Sequence, residues 1–382
     1  MKSELIKRKG DVMVVLDVRL DNFYAFQNFH MNLTYPKKIV GSSIKDEHLP
    51  DRPNFRYKKV NIIMGANASG KTTLGHMFRS IFNFVHKKNY DLITDVISDE
   101  SKVASFTIDM VCMPNILYRI SCEIAPKSGD KYTSDDINVE IREEKILAKD
   151  SYASCVKRLE EAPYSPEDSY IEELEKIEGL DWFFEYPRDT DRVLQLPNKD
   201  ETFKLVLENV LKALDPAIQK VEVSKEVDST YVIRLSNRSV IIQDGEIFKT
   251  EQLSSGTKAG VEIALVISAL MQNKYSFYYC DEKFSYIHSD IEKAVLSLMV
   301  DYVRPNGQLF FTSHNTDILD VNLPKHSFTF MRKDVSNSDC PITCIDAASL
   351  LKRNTDSLKS AVDNDMFSSA PAVDTIFAIA EI

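Results

Sequence analysis

The segment from Gly65 to Thr72 reads GANASGKT, a glycine-rich stretch that ends in a lysine and a threonine. It has the spacing G-x4-G-K-[ST], and it lies between an apolar run at 59–64 and a helical pattern from Lys71 to His86. Glycines allow backbone N–H groups to close on phosphate oxygens, and a helix N-terminus adds a partial positive charge. The chemistry that this spacing predicts is the binding of a nucleoside triphosphate.

The side chains of this loop have separate predicted roles. We expect the Lys71 ammonium to reach the β- and γ-phosphates and the Thr72 hydroxyl to bind Mg²⁺. A glycine turn beside a surface lysine is the alternative, which the strand before the loop and the helix after it disfavour. The residues that we predict to bind nucleotide here are Gly65, Asn67, Ser69, Gly70, Lys71, Thr72 and Thr73.

Two acidic residues, Asp281 and Glu282, follow the run from Tyr275 to Cys280, whose aromatic and apolar residues are typical of a central parallel strand. An acid at the C-terminal end of such a strand lies at the ligand crevice of a doubly wound sheet. We therefore expect Asp281 to hold Mg²⁺, directly or through water, and Glu282 to act on the attacking water as a general base. Two surface acids after a strand are the alternative.

A histidine, His314, comes just after the predicted strand from Gln308 to Thr312. From a neighbouring strand edge its imidazole can reach a γ-phosphate, where it would position the attacking water or sense the phosphate. We predict that His314 and Glu282 are the catalytic residues. The alternative is a histidine with only a structural role.

A second phosphate-seeking helix end is predicted at Ser254, Ser255 and Gly256, which precede a helical pattern from about Thr257 to Gln272. The serine side chain, the glycine backbone and the helix N-terminus together favour an anion. Two such ends in one chain cannot easily serve one nucleotide. We therefore predict a head-to-tail pair, in which the Ser254 end of one chain closes on the glycine-rich loop of the other. A simple helix cap is the alternative.

The elements that position these residues alternate as strand and helix do in α/β proteins. A further helical pattern, from Asp290 to Val303, separates two predicted strands in a βαβ arrangement. Two strands are expected on either side of Met113-Pro114-Asn115, and Asp244-Gly245 is expected to turn into a further strand. Other strand patterns occur at 12–35, 219–224, 230–235 and 238–243.

These patterns divide the chain into four predicted parts: 1–126 and 216–335 form one head, 127–215 is an inserted and mainly helical subdomain, and 336–382 is a tail. The insert is acidic and shows no sustained heptad, so it is not a long coiled coil. Its Trp182-Phe183-Phe184 cluster is a candidate docking surface for a partner. The alternative is that these rings form the insert's own core.

Composition restricts the partners and the compartment. The formal net charge is −11, so the surface as a whole does not indicate a nucleic-acid-binding protein, although nucleic acid is not excluded. Six cysteines in 382 residues do not form a disulfide framework, which favours a reducing, cytoplasmic setting. The apolar runs are too short for a signal peptide or a membrane span, so we expect no membrane association of the chain itself.

In order, the segments GANASGKTT, LSSGTKAG, YYCDE and FFTSHN resemble the Walker A, signature, Walker B and switch-histidine motifs of ABC-type ATPases. More narrowly they resemble the branch with the chromosome-maintenance (SMC), RecF and overcoming-lysogenisation-defect (OLD) ATPases, near which bacterial antiphage ATPases belong. The resemblance covers 12–125 and 216–335. It implies an α/β, ABC-type P-loop head with a mixed sheet, ATP and Mg²⁺ as cofactors, and ATP hydrolysis between paired heads.

The chain also departs from these relatives. Ser255 and Thr257 replace the glycine and glutamine of the transporter signature, the Q-loop glutamine has no clear position, and the D-loop after Glu282 is only approximate. His288 in that loop could lie near the dimer seam or have a structural role. The insert lacks the coiled coil of the chromosome-maintenance members, and the tail lacks the nuclease domain of the OLD proteins.

Two functional hypotheses remain open. The first is an ATPase switch that forms a homodimer or higher oligomer and controls an effector, a nuclease or toxin in a separate chain, in bacterial antiphage defence. The second is a DNA-repair or chromosome-maintenance ATPase that binds DNA directly, which the acidic charge and the missing coiled coil disfavour. A transporter subunit, a third and weaker hypothesis, would need a recognisable Q-loop and a membrane partner.

Overall fold

The computed structural model describes most of the chain, and the expected turn at Asp244-Gly245 lies outside the described residues. None of the helices among the described residues is long and apolar enough to cross a membrane. The described residues are 12–186, 196–243, 246–247, 254–282, 284, 287–353, 356–368, 376 and 379.

Strands are the more numerous elements in the described part of the chain. They are β1 (Val14–Asp21), β2 (Phe29–Asn32), β3 (His48–Leu49), β4 (Arg52–Arg56), β5 (Val60–Met64), β6 (Ala104–Met113), β7 (Ile116–Ile124), β8 (Ile137–Lys145), β9 (Trp182–Glu185), β10 (Ile218–Val223), β11 (Thr230–Leu235), β12 (Ser239–Gln243), β13 (Glu246–Ile247), β14 (Phe277–Asp281), β15 (Gln308–Ser313), β16 (Phe328–Lys333) and β17 (Ile342–Asp346). The helices are α1 (Lys71–Lys87), α2 (Asp91–Thr94), α3 (Tyr152–Glu161), α4 (Tyr170–Glu175), α5 (Glu201–Leu214), α6 (Ser255–Met271), α7 (Ser289–Tyr302), α8 (Ala347–Leu350) and α9 (Leu358–Asp363).

The central layer is a six-stranded sheet in the order β17-β16-β5-β15-β14-β9. Five of its strands are parallel, and β17 pairs antiparallel with β16. The apolar sequences of β5, β14 and β15 are buried along their whole length, as strands covered on both faces must be. Because parallel strands end at the same edge, the loops after these three strands meet.

Helix α1 lies between this sheet and a second, antiparallel sheet in the order β2-β1-β6-β7-β8. The helix approaches β14 closely at Gly75, where a Cβ would lie 2.5 Å from the Tyr279 ring. The Tyr279 hydroxyl also donates to the Lys71 carbonyl at 2.6 Å. The aromatic strand β14 therefore fixes the start of α1, which is the end of the helix that follows the glycine-rich loop.

The opposite face of the central sheet packs against α6 and α7. Helix α6 also packs against α5, in a lobe that the antiparallel strands β10–β13 complete. A Cβ at Gly260 would lie 2.6 Å from Leu214 Cδ1, so α5 and α6 approach closely there. The head is thus built from four layers, which are the antiparallel sheet, α1, the central sheet and the pair α6 and α7, together with this lobe.

The described residues of the segment 127–215 form three α-helices, a short 3-10 helix and two strands, and both strands belong to sheets of the head. Strand β8 pairs with β7, and β9 pairs in parallel with β14. Helix α5 packs against α6. The boundaries at 127 and 215 stay a prediction, and the described residues place much of the segment within the layers of the head.

The three aromatic residues singled out in this segment, Trp182, Phe183 and Phe184, belong to β9. The Phe183 ring lies 5.4 Å from that of Tyr275, and the Phe184 ring lies 5.7 Å from that of Phe277. The interpretation of this cluster as the insert's own core is therefore wrong, because the rings pack within the central sheet of the head. The docking proposal for the cluster loses its support for the same reason.

The tail completes the other edge of the central sheet. Strand β17 pairs with β16 and covers one side of the glycine-rich loop, and the Phe367 ring stacks on Phe330 at 3.9 Å. Strands β16 and β17 were not expected from the sequence. The other expected strands and helices in the described residues are confirmed, and α1, α6, α7, β5, β14 and β15 begin and end within two residues of their expected bounds.

Candidate nucleotide-binding site

The glycine-rich loop joins β5 to α1 and takes a backbone path that requires glycine. Gly65 and Gly70 have φ values of +155° and +102°, and Ala68 is also left-handed at 62°. A Cβ at Gly65 would lie 2.3 Å from the carbonyl oxygen of Met331, and one at Gly70 would lie 3.0 Å from Ile342 Cδ1. Strands β16 and β17 therefore support the loop from beneath, and α1 presents its N-terminus to the loop interior.

Lys71 is 3% exposed, so its ammonium requires polar partners. Its Nζ donates to the carbonyl oxygens of Gly65 at 2.7 Å and Ala66 at 3.1 Å, and it forms an ion pair with Glu282 Oε1 at 3.1 Å. Phosphate oxygens in the loop would take over such contacts. The lysine therefore lies between the loop and the acids after β14.

Asp281 is fully buried at the end of β14, and two threonine hydroxyls hold its carboxylate. Thr72 Oγ1 donates to Oδ2 and Thr312 Oγ1 donates to Oδ1, each at 2.6 Å. Burial raises the pKa of Asp281, and the two hydroxyl hydrogen bonds act in the opposite direction. Thr72 and Asp281 thus bring a hydroxyl and a carboxylate oxygen together, which is the donor set that Mg²⁺ prefers.

Glu282 has the left-handed backbone φ of 40°, which is uncommon for a residue with a side chain. Its backbone N–H donates to Thr312 Oγ1 at 2.9 Å. Its Oε1 lies 3.8 Å from Nδ1 of His314, whose side chain is half exposed. The unusual conformation and the shared threonine direct Glu282 toward both Lys71 and His314, at the edge of the central sheet.

The loop fits a phosphate group. The Ser69 hydroxyl is buried and has no hydrogen-bond partner among the described residues, so a phosphate oxygen would satisfy it. Asn67 is exposed at the tip of the loop and Thr73 is half-buried in the first turn of α1. Together with the glycine backbone at Gly65 and Gly70, these residues provide donors for phosphate oxygens and no competing carboxylate within the loop itself.

The predicted signature residues lie at the start of α6. Ser254 and Ser255 are exposed, Gly256 is half-buried, and the Ser254 carbonyl accepts the first helical hydrogen bond from Lys258 at 3.0 Å. A second chain can therefore reach this helix end, and its role in closing the partner's site stays a prediction. His288 caps α7 by accepting from the Asp290 N–H at 3.2 Å, which is a structural role.

Several residues of this site were not predicted from the sequence. Thr312 orients Asp281 and Glu282. Its place within the FFTSHN segment is its only sequence signal. Glu292 holds the residues on both sides of His314. Glu185 ends β9 beside Cys280 and is buried, so a third carboxyl lies at the edge where Asp281 ends its strand. A lone glutamate in an acidic segment carries no signal of its own.

No family model and no curated protein sequence matches the chain. Among solved structures it is similar to an SMC head bound to the C-winged helix domain of ScpA, with 13% identity, a TM-score of 0.50, and coverage of 89% of this chain and 99% of that one. An Smc head with an extended coiled coil from Pyrococcus furiosus has 11% identity and a TM-score of 0.48, with coverage of 89% of this chain and 98% of that one. The recombination mediator protein RecF-ATPrS of the RecFOR pathway has 10% identity and a TM-score of 0.44, with coverage of 88% of this chain and 99% of that one.

The likeness to the SMC head shows the fold of this chain, which is that of an ABC-type ATPase head. The α/β fold class with a mixed sheet, expected from the sequence, is therefore confirmed. At this identity the likeness carries the fold alone, so the chemistry depends on the residues described above.

Proposed function

We propose that this protein binds ATP with Mg²⁺ and hydrolyses it at the edge of the central sheet. The observation that carries the proposal is the meeting of three segments at one place, namely the glycine-rich loop, the end of β14 and the end of β15. Lys71 lies 3.1 Å from Glu282, Thr72 lies 2.6 Å from Asp281, and His314 lies 3.8 Å from Glu282. These are the groups that phosphoryl transfer to water requires: a cation for the phosphates, ligands for a metal ion and a base for the water.

Each side chain has a definite task in this reaction. Lys71 exchanges its carbonyl and carboxylate partners for β- and γ-phosphate oxygens, while Ser69 and the loop N–H groups donate to the same phosphates. Thr72 and Asp281 would hold Mg²⁺, which supplies charge neutralisation at the phosphates when bound. Glu282 accepts a proton from the attacking water.

The fifth group, His314, lies near the same carboxylate oxygen of Glu282 that pairs with Lys71. Its ring can donate to the γ-phosphate or orient the water, and its half-exposed position leaves it room to do either. Glu282 would therefore be flanked by one group that binds the phosphate chain and one that aligns the nucleophile. Such positioning is the main source of catalysis in phosphoryl transfer.

We further propose that two copies pair head to tail and share their sites. The N-terminus of α6, a helix of 17 residues, carries a partial positive charge, and Ser254 and Ser255 are exposed there. This end can therefore approach the γ-phosphate bound by a second chain. ATP would then hold the two heads together, and hydrolysis would release them.

The finer proposal is that this cycle controls an effector in a separate chain. Among the described residues there is no group of three or more His, Cys, Asp or Glu that could hold a further metal ion. Strands β8 and β9 of the predicted insert are used in the sheets of the head, so these parts of the insert belong to the head and not to a second catalytic domain. The similar SMC head is bound to a domain of ScpA, which is a precedent for partner binding on this fold.

A role in antiphage defence, with a nuclease or toxin as effector, remains the biological setting that we propose. Direct DNA binding in repair or chromosome maintenance is the alternative, and the likeness of the fold to an SMC head favours keeping it. A salt-dependent affinity for duplex DNA in the presence of ATP would support that alternative.

The test of the activity compares the wild-type chain with Lys71→Ala in Mg²⁺-ATP binding and in phosphate release. We expect the variant to lose both, because it removes the cation that faces the phosphates. Unchanged binding and turnover in the variant would contradict the proposal.

Nuclease, RNase and nucleotide-consuming assays on the chain alone should be negative. Activity of that kind that survives Lys71→Ala would show that an effector is built into this chain.

A further inference from the structure

Glu292 lies in the first turn of α7 and is 3% exposed. Its two carboxylate oxygens have different partners: Ser313 Oγ donates to Oε1 at 3.0 Å, and Asn315 Nδ2 donates to Oε2 at 2.6 Å. These partners are the residues immediately before and after His314. One buried carboxylate therefore binds both sides of the loop that carries the histidine.

The same hydrogen bonds determine the shape of this loop. Ser313 Oγ also accepts from the Asn315 backbone N–H at 3.0 Å, and Asn315 Oδ1 accepts from the Asp317 N–H at 3.0 Å. The second contact begins the 3-10 helix Thr316–Asp320. Without Glu292, the side chains of Ser313 and Asn315 would keep these local contacts, and no other side-chain hydrogen bond among the described residues would join the loop to α7.

His314 depends on its backbone for its position. Its side chain is half exposed, and its Nδ1 lies 3.8 Å from Glu282 Oε1, beyond normal hydrogen-bond distance. Helix α7 starts at Ser289, seven residues after Glu282 along the chain. Glu292 therefore links the helix that follows the proposed general base to the loop that carries the histidine.

Burial of a carboxylate in this position is unfavourable unless hydrogen bonds compensate for it, and burial raises the pKa of Glu292. A leucine or methionine would fill the same space without this cost. The presence of an acid with two donors on the His314 loop is more simply explained by what it positions than by packing.

We propose that Glu292 is a positioning residue that holds His314 in register with Glu282. The inference rests on the proposed ATPase activity and deepens it. Replacement of a residue that acts through His314 should change kcat only while His314 is present. Replacement of a residue that serves only the fold should change kcat with or without that histidine.

The experiment is a double-mutant cycle on kcat for ATP hydrolysis, with KM and thermal unfolding measured for each variant. We expect Glu292→Ala to lower kcat by about 10- to 100-fold, the order that small misplacements of catalytic groups cost, while KM for ATP changes little. In a His314→Ala background the same change should have no further effect. Glu292→Gln should retain most activity, because its oxygen can accept from Asn315 and its amide can donate to Ser313.

Asn315→Ala removes one of the two hydrogen bonds from the loop side, so it tests the link even if Glu292→Ala fails to fold. Asp290→Asn is the matched control, since this exposed acid of the same helical turn pairs with Lys293 at 2.9 Å and should leave kcat unchanged. An equal loss of kcat from Glu292→Ala with and without His314 would overturn the proposal, as would unchanged kcat in both Glu292→Ala and Asn315→Ala. Absence of ATPase activity in the wild-type chain would instead refute the proposed function.

Discussion

Replacement of Glu282 by glutamine separates binding from chemistry at the proposed site. In the structure Glu282 Oε1 lies 3.1 Å from Lys71 Nζ and 3.8 Å from His314 Nδ1, and its backbone N–H is fixed by Thr312. Glutamine keeps the size of the side chain and the backbone contact. It removes the negative charge and the ability to take a proton from water.

Two effects of different size follow for Glu282→Gln. Loss of general-base assistance should lower kcat by about 10²–10⁴-fold, which corresponds to about 3–5 kcal/mol in the activation free energy. Lys71 also loses its carboxylate partner, so the cost of turning it toward phosphate falls. The Lys71–Glu282 pair is partly buried, so its loss should favour ATP binding by a modest amount. We expect the ATP affinity to stay constant or to rise by up to about tenfold, or ~1.4 kcal/mol.

The assay measures phosphate release at saturating Mg²⁺-ATP and the dissociation constant of Mg²⁺-ATP by calorimetry. Glu201→Gln is a matched control, because Glu201 Oε2 also lies 3.1 Å from a lysine, Lys204, but on an exposed helix surface. The control should leave both quantities unchanged. Hydrolysis by Glu282→Gln at the wild-type rate would refute the assignment of the base.

Three further changes test the support of the site. Thr72→Ala should raise the Mg²⁺ concentration needed for half-maximal turnover, whereas Thr72→Ser, which keeps the hydroxyl, should not; equal Mg²⁺ dependence in both variants would contradict the metal role. Asp281→Asn should abolish turnover yet raise the melting temperature of the nucleotide-free protein at neutral pH, because burial raises the pKa of Asp281 and so disfavours its ionised form. That gain should shrink as the pH falls below this raised pKa and vanish below the ordinary pKa of an aspartate, and a lower melting temperature at neutral pH would count against the argument. Gly75→Ala should be destabilising, since overpacking against Tyr279 costs about 1–3 kcal/mol and the helix propensity of alanine returns only about 1 kcal/mol. Gly129→Ala, whose Cβ would have 4.0 Å to its nearest neighbour, is the control in urea unfolding, and equal stability of the two variants would contradict the packing argument.

The parts of the site that the sequence predicted are those whose signals are local. The glycine-rich loop, its strand and its helix are contiguous, and the physics of phosphate binding requires that order. The acids after β14 and the histidine after β15 were placed by the rule that parallel strands end at one edge. At this edge of the structure Lys71, Thr72, Asp281, Glu282 and His314 lie together.

The parts that the sequence could not predict depend on contacts between distant segments. Strand β9 is four residues long and lies in an acidic segment, and only its pairing with β14 makes it a strand of the head. Strand β17 likewise depends on β16. Glu292 is 21 residues from Ser313 and 23 from Asn315, so its role is visible only when α7 is packed against the central sheet.

The central claim is that each ATP is hydrolysed between two chains, and complementation tests it most directly. Lys71→Ala disables the glycine-rich loop, and Ser254→Arg places a bulky cation on the exposed end of α6. Because paired heads are related by symmetry, a mixed dimer of these variants has one doubly disabled site and one intact site. The account predicts that each variant alone lacks ATPase activity and that the mixture recovers part of it. No recovery, in a sample shown to contain mixed dimers, would mean that each chain works alone.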